Sequence, residues 1–477
     1  MIAPGISLLT STSLPAPSES PAGETKFTVR ESVLGVLPFA VGLSDVTISL
    51  DSLHYCYPVT RLGGRVLCQD GVDGPPYQQI AGIAYSRDGR RLAYCATKSA
   101  TNGGSVAHVV VVDGKEGKPY YRGVAKDHLV FSPDSRHFAY AARLPDGREV
   151  VVLDGVESEP IDGFHTLKFS PDSRRFAYAA MRKELWSVVL DGNAGESFVD
   201  GIRPDSITFS PDSQRLGYVA ARGGKNMAVV DGRIGKTNDG IHGPIFFSPD
   251  SQHVVYAALS GKRFHLMYDE KDRGDYEDIS SEQLLFSPDG KHLAFTAVRN
   301  DKWMVVLDDV AGSEFDGIGK MSLVFSPDSQ RLAYAAKRGD KWRVVVAKEG
   351  DGPEFDGLHR QWACFSPDSQ HLGYLAAREG QWRLVLDGRE GKPFEPRQSL
   401  SPVTGFAFSP DSGHVAYFAR RNGKEHLMLD ESKVGEYAAL GYLVFVDPKT
   451  FRVIVPRETA KFDTELVRLE VTLEGNP

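Results

Sequence analysis

The chain is poor in the features that mark several large classes of protein. Its 477 residues contain four cysteines, with no CxxC pair and no zinc-ligand spacing. Cys56 and Cys68 fall in consecutive predicted strands and are candidate cross-strand neighbours. No apolar run approaches the length that crosses a bilayer, and the N-terminus lacks the basic region and apolar run of a signal peptide. We therefore predict a cytoplasmic protein, or a periplasmic or secreted one if a leader has been removed, with no membrane insertion.

Excess positive charge and known catalytic motifs are also missing. The net charge is -8, which gives no reason to expect nucleic acid or an anionic membrane as a partner. Neither GxSxG nor GxxxxGK[ST] occurs, so a serine-hydrolase elbow and a phosphate loop are not indicated. We predict no catalytic residue, no cofactor and no bound metal.

What the chain does contain is one short sequence written many times. FSPDS begins at Phe131, Phe169, Phe209, Phe247, Phe325, Phe365 and Phe408. FSPDG begins at Phe286, and a looser copy, YSRDG, begins at Tyr85. Two degenerate copies begin at Ile48 and Phe445, which makes eleven. A repeat of about forty residues indicates an architecture in which each unit stacks on the next.

A single repeat, residues 166–201, shows what each unit forms. HTLKF alternates apolar and polar residues as a strand does, and SPDS follows as a tight turn that Pro171 and Asp172 favour. RFAYAAM and LWSVVLD are the second and third strands, GNAGES a glycine-bearing turn, and FVDG a short fourth strand. Four antiparallel strands joined by tight turns make one blade of a β-propeller. The fold class is therefore all-β.

The even spacing predicts a single large propeller of about eleven four-stranded blades, with ten blades or two smaller interlocked propellers as alternatives. Residues 1–26 are rich in Ser, Pro and Ala and read as a disordered tail. Residues 27–477 form the propeller. The last repeat lacks a fourth strand, and the strand-like segment 27–45 is not part of any repeat. We predict that this segment pairs with the last repeat and closes the ring, which removes two exposed edges.

The repeat, FSPDS-x-x-x-A-Y with a third strand ending in LDG or VDG, resembles the WD40-like repeats of the TolB-type propeller family. The resemblance covers the chain from about Ile48 to the C-terminus. It implies a propeller fold but no one function, since the family includes periplasmic scaffold proteins and the propellers that gate certain serine peptidases. The chain has no TolB-like N-terminal α/β domain and no room for a hydrolase domain.

Basic residues recur in the loop between the second and third strands. In a blade this loop lies on the same face as the segment that enters the next blade, so one rim is predicted to attract an anionic partner. The segments entering each blade add Lys126, His128, His165, Arg203, His242, Lys320, His359 and Arg360. The candidate partner-binding residues of the loops are Arg182, Lys183, Arg222, Lys225, Lys262, Arg263, Arg299, Lys302, Arg338, Lys341, Arg420 and Arg421.

The SPD aspartates and the third-strand tryptophans have structural explanations. Each SPD aspartate lies in its own turn, so the set is separated around the ring and is expected to cap turns. Trp186, Trp303, Trp342 and Trp382 share one position on the third strand, where packing between blades is expected rather than an aromatic cage.

From this pattern we expect a non-enzymatic binding or scaffold protein, monomeric, whose partner is another protein with an acidic surface. A rigid ring displays many loops at fixed spacing, which suits that role. Two alternatives stay open. The channel of a large ring could hold a small molecule, peptide or glycan, or a channel mouth could carry the site of a hydrolase or lyase.

Overall fold

A computed structural model describes residues 26–38, 40–99, 106–395, 405–438, 443–458 and 464–474, and all structural statements below concern these residues. The described residues form eleven antiparallel sheets of four strand positions each and one short 3-10 helix, Leu43–Asp45. Most of the predicted N-terminal tail lies outside them. The chain is a propeller of eleven blades in one ring, and the alternatives of ten blades and of two interlocked propellers are wrong.

Each blade runs outward from the channel in the order innermost, second, third and outermost strand. The innermost strands are Thr47–Ile48, Gln79–Tyr85, Val130–Phe131, Gly163–Phe169, Gly201–Ile202 with Thr208–Phe209, Gly240–Phe247, Asp278–Phe286, Gly317–Ile318 with Val324–Phe325, Gly357–Phe365, Phe406–Phe408 and Val444–Asp447. The second strands are Tyr55–Arg61, Leu92–Lys98, Phe138–Arg143, Phe176–Arg182, Leu216–Arg222, Val254–Ser260, Leu293–Arg299, Leu332–Arg338, Leu372–Arg378, Val415–Arg421 and Thr450–Glu458.

The outer half of each blade consists of the third and the outermost strand, and the outermost strands vary in length from 2 to 11 residues. The third strands are Gly64–Gln69, Ala107–Val112, Glu149–Leu153, Leu185–Leu190, Lys225–Val230, Arg263–Tyr268, Lys302–Leu307, Lys341–Val346, Gln381–Leu386, Lys424–Leu429 and Thr464–Leu473. The outermost strands are Val72–Asp73, Lys115–Glu116, Val156–Glu157, Asn193–Phe198, Arg233–Asn238, Lys271–Tyr276, Val310–Ala311, Gly350–Asp351, Arg389–Glu390, Ser432–Glu436 and, for blade 11, Phe27–Leu37.

The second strand of each blade carries the residues that bury against the neighbouring blades. In blade 4, Ala177 and Ala179 are fully buried, and these small side chains let the next sheet approach closely. The repeated aromatic packs against the outer strand of the blade before it. Tyr218 of blade 5 contacts Phe198 of blade 4 edge-on, with 6.4 Å between ring centroids. Each blade thus completes its core only when it is stacked.

Blade 11 joins the two ends of the chain and closes the ring. Its outermost strand, Phe27–Leu37, pairs antiparallel with Thr464–Leu473 from the C-terminus. One face packs on blade 10, where Phe451 and Val453 share a buried cluster with Phe418. The other face packs on blade 1, where Ile454 and Leu466 share a cluster with Tyr57. The described blades therefore pack on one another in a closed ring, and blade 11 is covered on both faces.

Two local expectations from the sequence are corrected by the structure. The fourth strand of blade 4 is Asn193–Phe198, whereas the FVDG segment leads into blade 5, whose innermost strand begins at Gly201. Cys56 and Cys68 lie on adjacent strands, but Cys68 pairs with Tyr57 and therefore points to the opposite face from Cys56. Cys56 belongs to the core shared with blade 2 and Cys68 to the core shared with blade 11, so no disulfide joins them.

Candidate binding faces

The two faces of the ring are built by different turns. The hairpin face carries the turns between second and third strands together with the segments that enter each blade. The SPD face carries the SPD turns and the turns between third and outermost strands.

A carboxylate fixes the turn on the hairpin face in seven blades. It precedes the innermost strand of the blade and accepts a hydrogen bond from a backbone N–H of that blade's turn between strands two and three, which holds the turn in place. The acceptors, with their donors and distances, are Asp162 (Lys183, 2.7 Å), Asp200 (Gly224, 2.8 Å), Asp239 (Gly261, 2.6 Å), Glu277 (Asn300, 3.0 Å), Asp316 (Gly339, 2.7 Å), Asp356 (Glu379, 2.7 Å) and Glu395 (Gly423, 3.0 Å).

Three of the predicted basic residues use these same carboxylates to join neighbouring blades. Lys302 and Lys341 each place Nζ 2.5 Å from a carboxylate oxygen of the next blade, Asp316 and Asp356 respectively. Lys225 makes the equivalent ion pair with Asp239. The hydrogen bond from Lys341 lowers the pKa of Asp356, with the backbone N–H of Glu379 adding to the effect. These lysines link neighbouring blades, and each lysine charge is neutralised by an aspartate of the next blade.

Four of the predicted arginines also have carboxylate partners. Arg222 bonds Glu196 at 2.9 Å and lies over the ring of Phe198, 5.0 Å from its centroid. The remaining pairs are Arg263 with Asp275 (3.0 Å), Arg338 with Asp351 (3.3 Å) and Arg420 with Glu395 (3.7 Å). Seven of the twelve candidate residues are thus engaged in ion pairs within the ring.

The other five candidates have no carboxylate partner among the described residues. Arg421 is half-buried, and its Nε and Nη2 atoms are shielded from solvent. Arg299 is exposed and stacks on Tyr276, 5.1 Å from the ring centroid. Lys183 and Lys262 are exposed, and Arg182 is half-buried beside Lys183. We call the set Arg182, Lys183, Lys262 and Arg299 the basic sector, because it lies on blades 4, 6 and 7.

On the SPD face the aspartates and serines connect successive blades. In blade 4, Ser170 Oγ donates to Asp172 at 2.6 Å, and the same carboxylate oxygen accepts from Arg174 N at 3.1 Å. The backbone N–H of Asp172 donates to Ser213 Oγ of blade 5 at 3.0 Å. The predicted role as turn caps is confirmed by these bonds. No group of three His, Cys, Asp or Glu in the described part of the chain is placed to hold a metal ion.

Histidine or arginine follows most SPD turns and pairs with the aspartate after the third strand. His137 Nδ1 is 2.7 Å from Asp154, whereas Arg175 Nε is 3.0 Å from Asp191. Arg215 continues into the next blade, where it donates to Ser251 O at 2.9 Å. These pairs match, within the ring, the charges of the residues that follow the SPD turns.

Bulges in the innermost strands line the channel. Thr166 is a bulged residue with a φ of 57°, and Asp205, with a φ of 59°, lies between the two short innermost strands of blade 5. Asp205 N donates to Thr166 Oγ1 of the preceding blade at 3.0 Å. Arg203 Nη1 donates to Ile241 O of the following blade. Burial lowers the pKa of His165, whose ring lies 4.7 Å from Trp186. Two of the basic residues predicted for the blade entrances, His165 and Arg203, thus make contacts at the innermost strands, and Arg203 joins its blade to the following one.

Clefts between outer strands were not found by sequence reasoning. One cleft of about 830 Å³ lies between blades 5 and 6 and is lined by Ile234, Gly235, Tyr256 and Glu270. An equivalent cleft of about 430 Å³ lies between blades 9 and 10. In both, a glutamate replaces the glycine of the usual DG turn, as in Asp269-Glu270. This glycine-to-glutamate change in the repeat is the sequence feature that could have pointed to the two clefts.

Comparison with known proteins gives similarity at the level of the fold. No protein-family model and no curated protein matches the sequence. Among solved structures, a eukaryotic initiation factor is 14% identical at a TM-score of 0.39, covering 71% of this chain and 94% of that chain. TolB from Acinetobacter baumannii is 16% identical at a TM-score of 0.26, covering 57% of this chain and 80% of that chain. The Dos1 propeller is 13% identical at a TM-score of 0.32, covering 78% of this chain and 95% of that chain.

No helix in the described residues is long and apolar enough to span a membrane.

Proposed function

We propose that this protein is a non-enzymatic scaffold that binds an acidic surface of a protein partner through the basic sector of its hairpin face. The observation that carries the proposal is the difference among the twelve candidate cations. Seven are matched by carboxylates of the ring. The four residues of the basic sector have no carboxylate partner in the described part of the chain, and three of them are exposed.

The rigidity of the ring supports a scaffold. Neighbouring blades are joined on both faces, by lysine–aspartate pairs such as Lys341 with Asp356 and by bonds such as Asp172 N to Ser213 Oγ. Fixed loops lose little conformational entropy when a partner binds. The four cysteines are free thiols, which supports a reducing compartment such as the cytoplasm as the place of work.

A poly-glutamate peptide with a fluorescent label is a defined probe for this proposal. The test variant replaces Arg182, Lys183, Lys262 and Arg299 by serine. The matched control replaces four cations of the SPD face, Arg90, Arg136, Arg174 and Lys291, and so removes the same charge. Four charges at about 0.3–0.5 kcal/mol each amount to about 1.5 kcal/mol, or about tenfold in affinity.

Fluorescence anisotropy at low and moderate salt measures the affinity. We expect the sector variant to bind about tenfold more weakly and the control variant to bind within about twofold of the parent chain. Equal weakening by both variants would mean that net charge, rather than this sector, attracts the probe. That result would contradict the proposal.

A further inference from the structure

The N-terminal strand differs from every other outermost strand of the ring. Phe27–Leu37 has 11 residues, whereas the outermost strands of blades 1 to 10 have between 2 and 6. Short outer strands leave little backbone for a foreign strand to pair with, which is a common protection against edge pairing. Within the described residues this strand pairs only with Thr464–Leu473, so its outer edge is open.

The register shows which backbone groups face outward. Lys26 and Glu474 are opposite each other, and Glu474 N donates to Lys26 O at 2.9 Å, which makes them a hydrogen-bonded pair. Hydrogen-bonded and non-hydrogen-bonded pairs alternate along an antiparallel ladder. The residues whose N–H and C=O groups point away from the sheet are therefore Phe27, Val29, Glu31 and Val33.

The open edge is rigid and has few of the usual protective residues. Phe27 and Val29 pack into the core of blades 10 and 11, and Leu34 O accepts a hydrogen bond from Tyr55 of blade 1 at 2.9 Å. Residues 27–37 contain neither proline nor lysine. Val33 keeps 54% of its surface exposed and Val36 51%. An ordered, partly apolar edge of this length is a template for an added strand.

Arg30 indicates the chemistry of the strand that fits. It is exposed and has no ion-pair partner among the described residues. The neighbouring charge, Glu31, is already matched by Arg457 at 2.6 Å and by the Tyr437 hydroxyl at 2.5 Å. A residue opposite Arg30 on an added strand lies in a non-hydrogen-bonded pair, where side chains are closest. An acidic residue there is favoured.

A second copy of the chain fits this edge poorly. Two N-terminal strands related by a two-fold axis must pair outward-facing residues with one another. The register that pairs residues 27–33 places Arg30 opposite its own copy, and the register shifted by one residue places Glu31 opposite its own copy. Like charges directly opposite each other destabilise a pair of strands. The two registers that pair the most outward-facing residues are therefore disfavoured, which favours a different polypeptide as the added strand.

We propose that the edge of Phe27–Leu37 binds an extended segment of a partner protein as a fifth strand of blade 11, with an acidic residue of that segment opposite Arg30. This inference goes beyond the basic sector, because it uses backbone pairing at the seam of the ring. Loss of one binding mode leaves the other intact.

The probe is a short fluorescent peptide of alternating threonine and valine with one central glutamate. A second peptide carries lysine in place of glutamate, and a third is N-methylated at alternate residues, which removes the donors of one edge. We expect the intact chain to bind the glutamate peptide about fivefold more tightly than the lysine peptide and not to bind the N-methylated one. Arg30→Glu reverses the preference between the first two.

Two variants at one position test the backbone directly. Val33→Pro removes an outward N–H and is expected to abolish binding, whereas Val33→Thr keeps the N–H and is expected to retain it. Equal binding by these two variants, or the same peptide preference in the parent chain and Arg30→Glu, would overturn the proposal. A concentration-dependent dimer in sedimentation that Val33→Pro dissolves would overturn it in favour of a second copy. The Arg30→Glu comparison decides the matter even if Val33→Pro does not fold.

Discussion

Ser213 provides the sharpest test of how the blades are held together. Its side chain is fully buried, its backbone has a φ of 66°, and its Oγ accepts a hydrogen bond from Asp172 N of the preceding blade at 3.0 Å. The positive φ favours glycine, so the serine must be retained for its hydroxyl. FSPDG at Gly290 shows the alternative, with the glycine but without the oxygen.

The structure gives the order of two substitutions at this position. Ser213→Ala leaves the Asp172 N–H without its acceptor, which costs about 1–3 kcal/mol. Ser213→Gly loses the same bond but relieves the left-handed backbone, which returns about 1 kcal/mol. Alanine is therefore expected to be more damaging than glycine, because only glycine adopts this positive φ without strain.

Hydrogen exchange followed by mass spectrometry measures the effect at the bond itself. A loss of about 1–3 kcal/mol accelerates exchange of the Asp172 amide about fivefold to 150-fold. Gln214→Ala, on the exposed neighbour, is the matched control and is expected to leave this amide unchanged. The Asp328 amide, bonded to Ser369, is the internal reference. Unchanged exchange in Ser213→Ala, or a larger effect from glycine than from alanine, would refute the reasoning.

Three further outcomes follow from the same contacts. Gly373→Ala places a Cβ 2.7 Å from Phe406 Cε2 of the next blade and should cost about 1–3 kcal/mol in urea unfolding, whereas Gly413→Ala, with 3.7 Å to its nearest atom, should be near neutral. Hydrogen bonds from the Ser287 hydroxyl and, second, from Lys291 N lower the pKa of Asp289 to about 2. The stabilisation that the Asp289 carboxylate contributes is therefore complete above about pH 4 and is lost as the pH falls through about 2. Acid unfolding of Asp289→Asn should lack this loss of stability. Burial raises the pKa of Cys56 to about 12, so a thiol reagent should label Cys56 only on unfolding, and labelling of native protein would contradict its placement.

The repeat made the blade predictable, because each turn is encoded by neighbouring residues. The Pro-Asp pair, as in Pro171 and Asp172, specifies a turn in each repeat, and the aromatic residue that follows specifies a buried strand. Asn193–Phe198 was harder to predict. Its residues are exposed except Phe198 and include a glycine, so the sequence resembles a turn. The strand forms because its backbone pairs with Leu185–Leu190, an effect that local composition does not report.

The candidate site depended on contacts between blades, which a linear pattern does not contain. Lys341 and Asp356 are 15 residues apart and meet because one blade stacks on the next. A count of basic residues in the loops therefore overstated the positive charge available to a partner. Arg182 and Lys183 remain candidates for binding a partner because no carboxylate of the described chain pairs with them. Stacking geometry, rather than loop composition, separates the two groups.

The claim that the hairpin face of blades 4 to 7 binds the partner is tested most directly by site-specific photo-crosslinking. A photo-reactive amino acid replaces Leu185, which is 43% exposed beside Lys183, or Arg136 on the SPD face, whose side chain is 85% exposed. Each protein is irradiated in an extract of its native host, and the products are separated by mass. We predict a defined cross-linked protein from position 185 that is absent from position 136 and is lost when the basic sector is replaced by serine. The same products from both positions, unchanged by the serine variant, would contradict it.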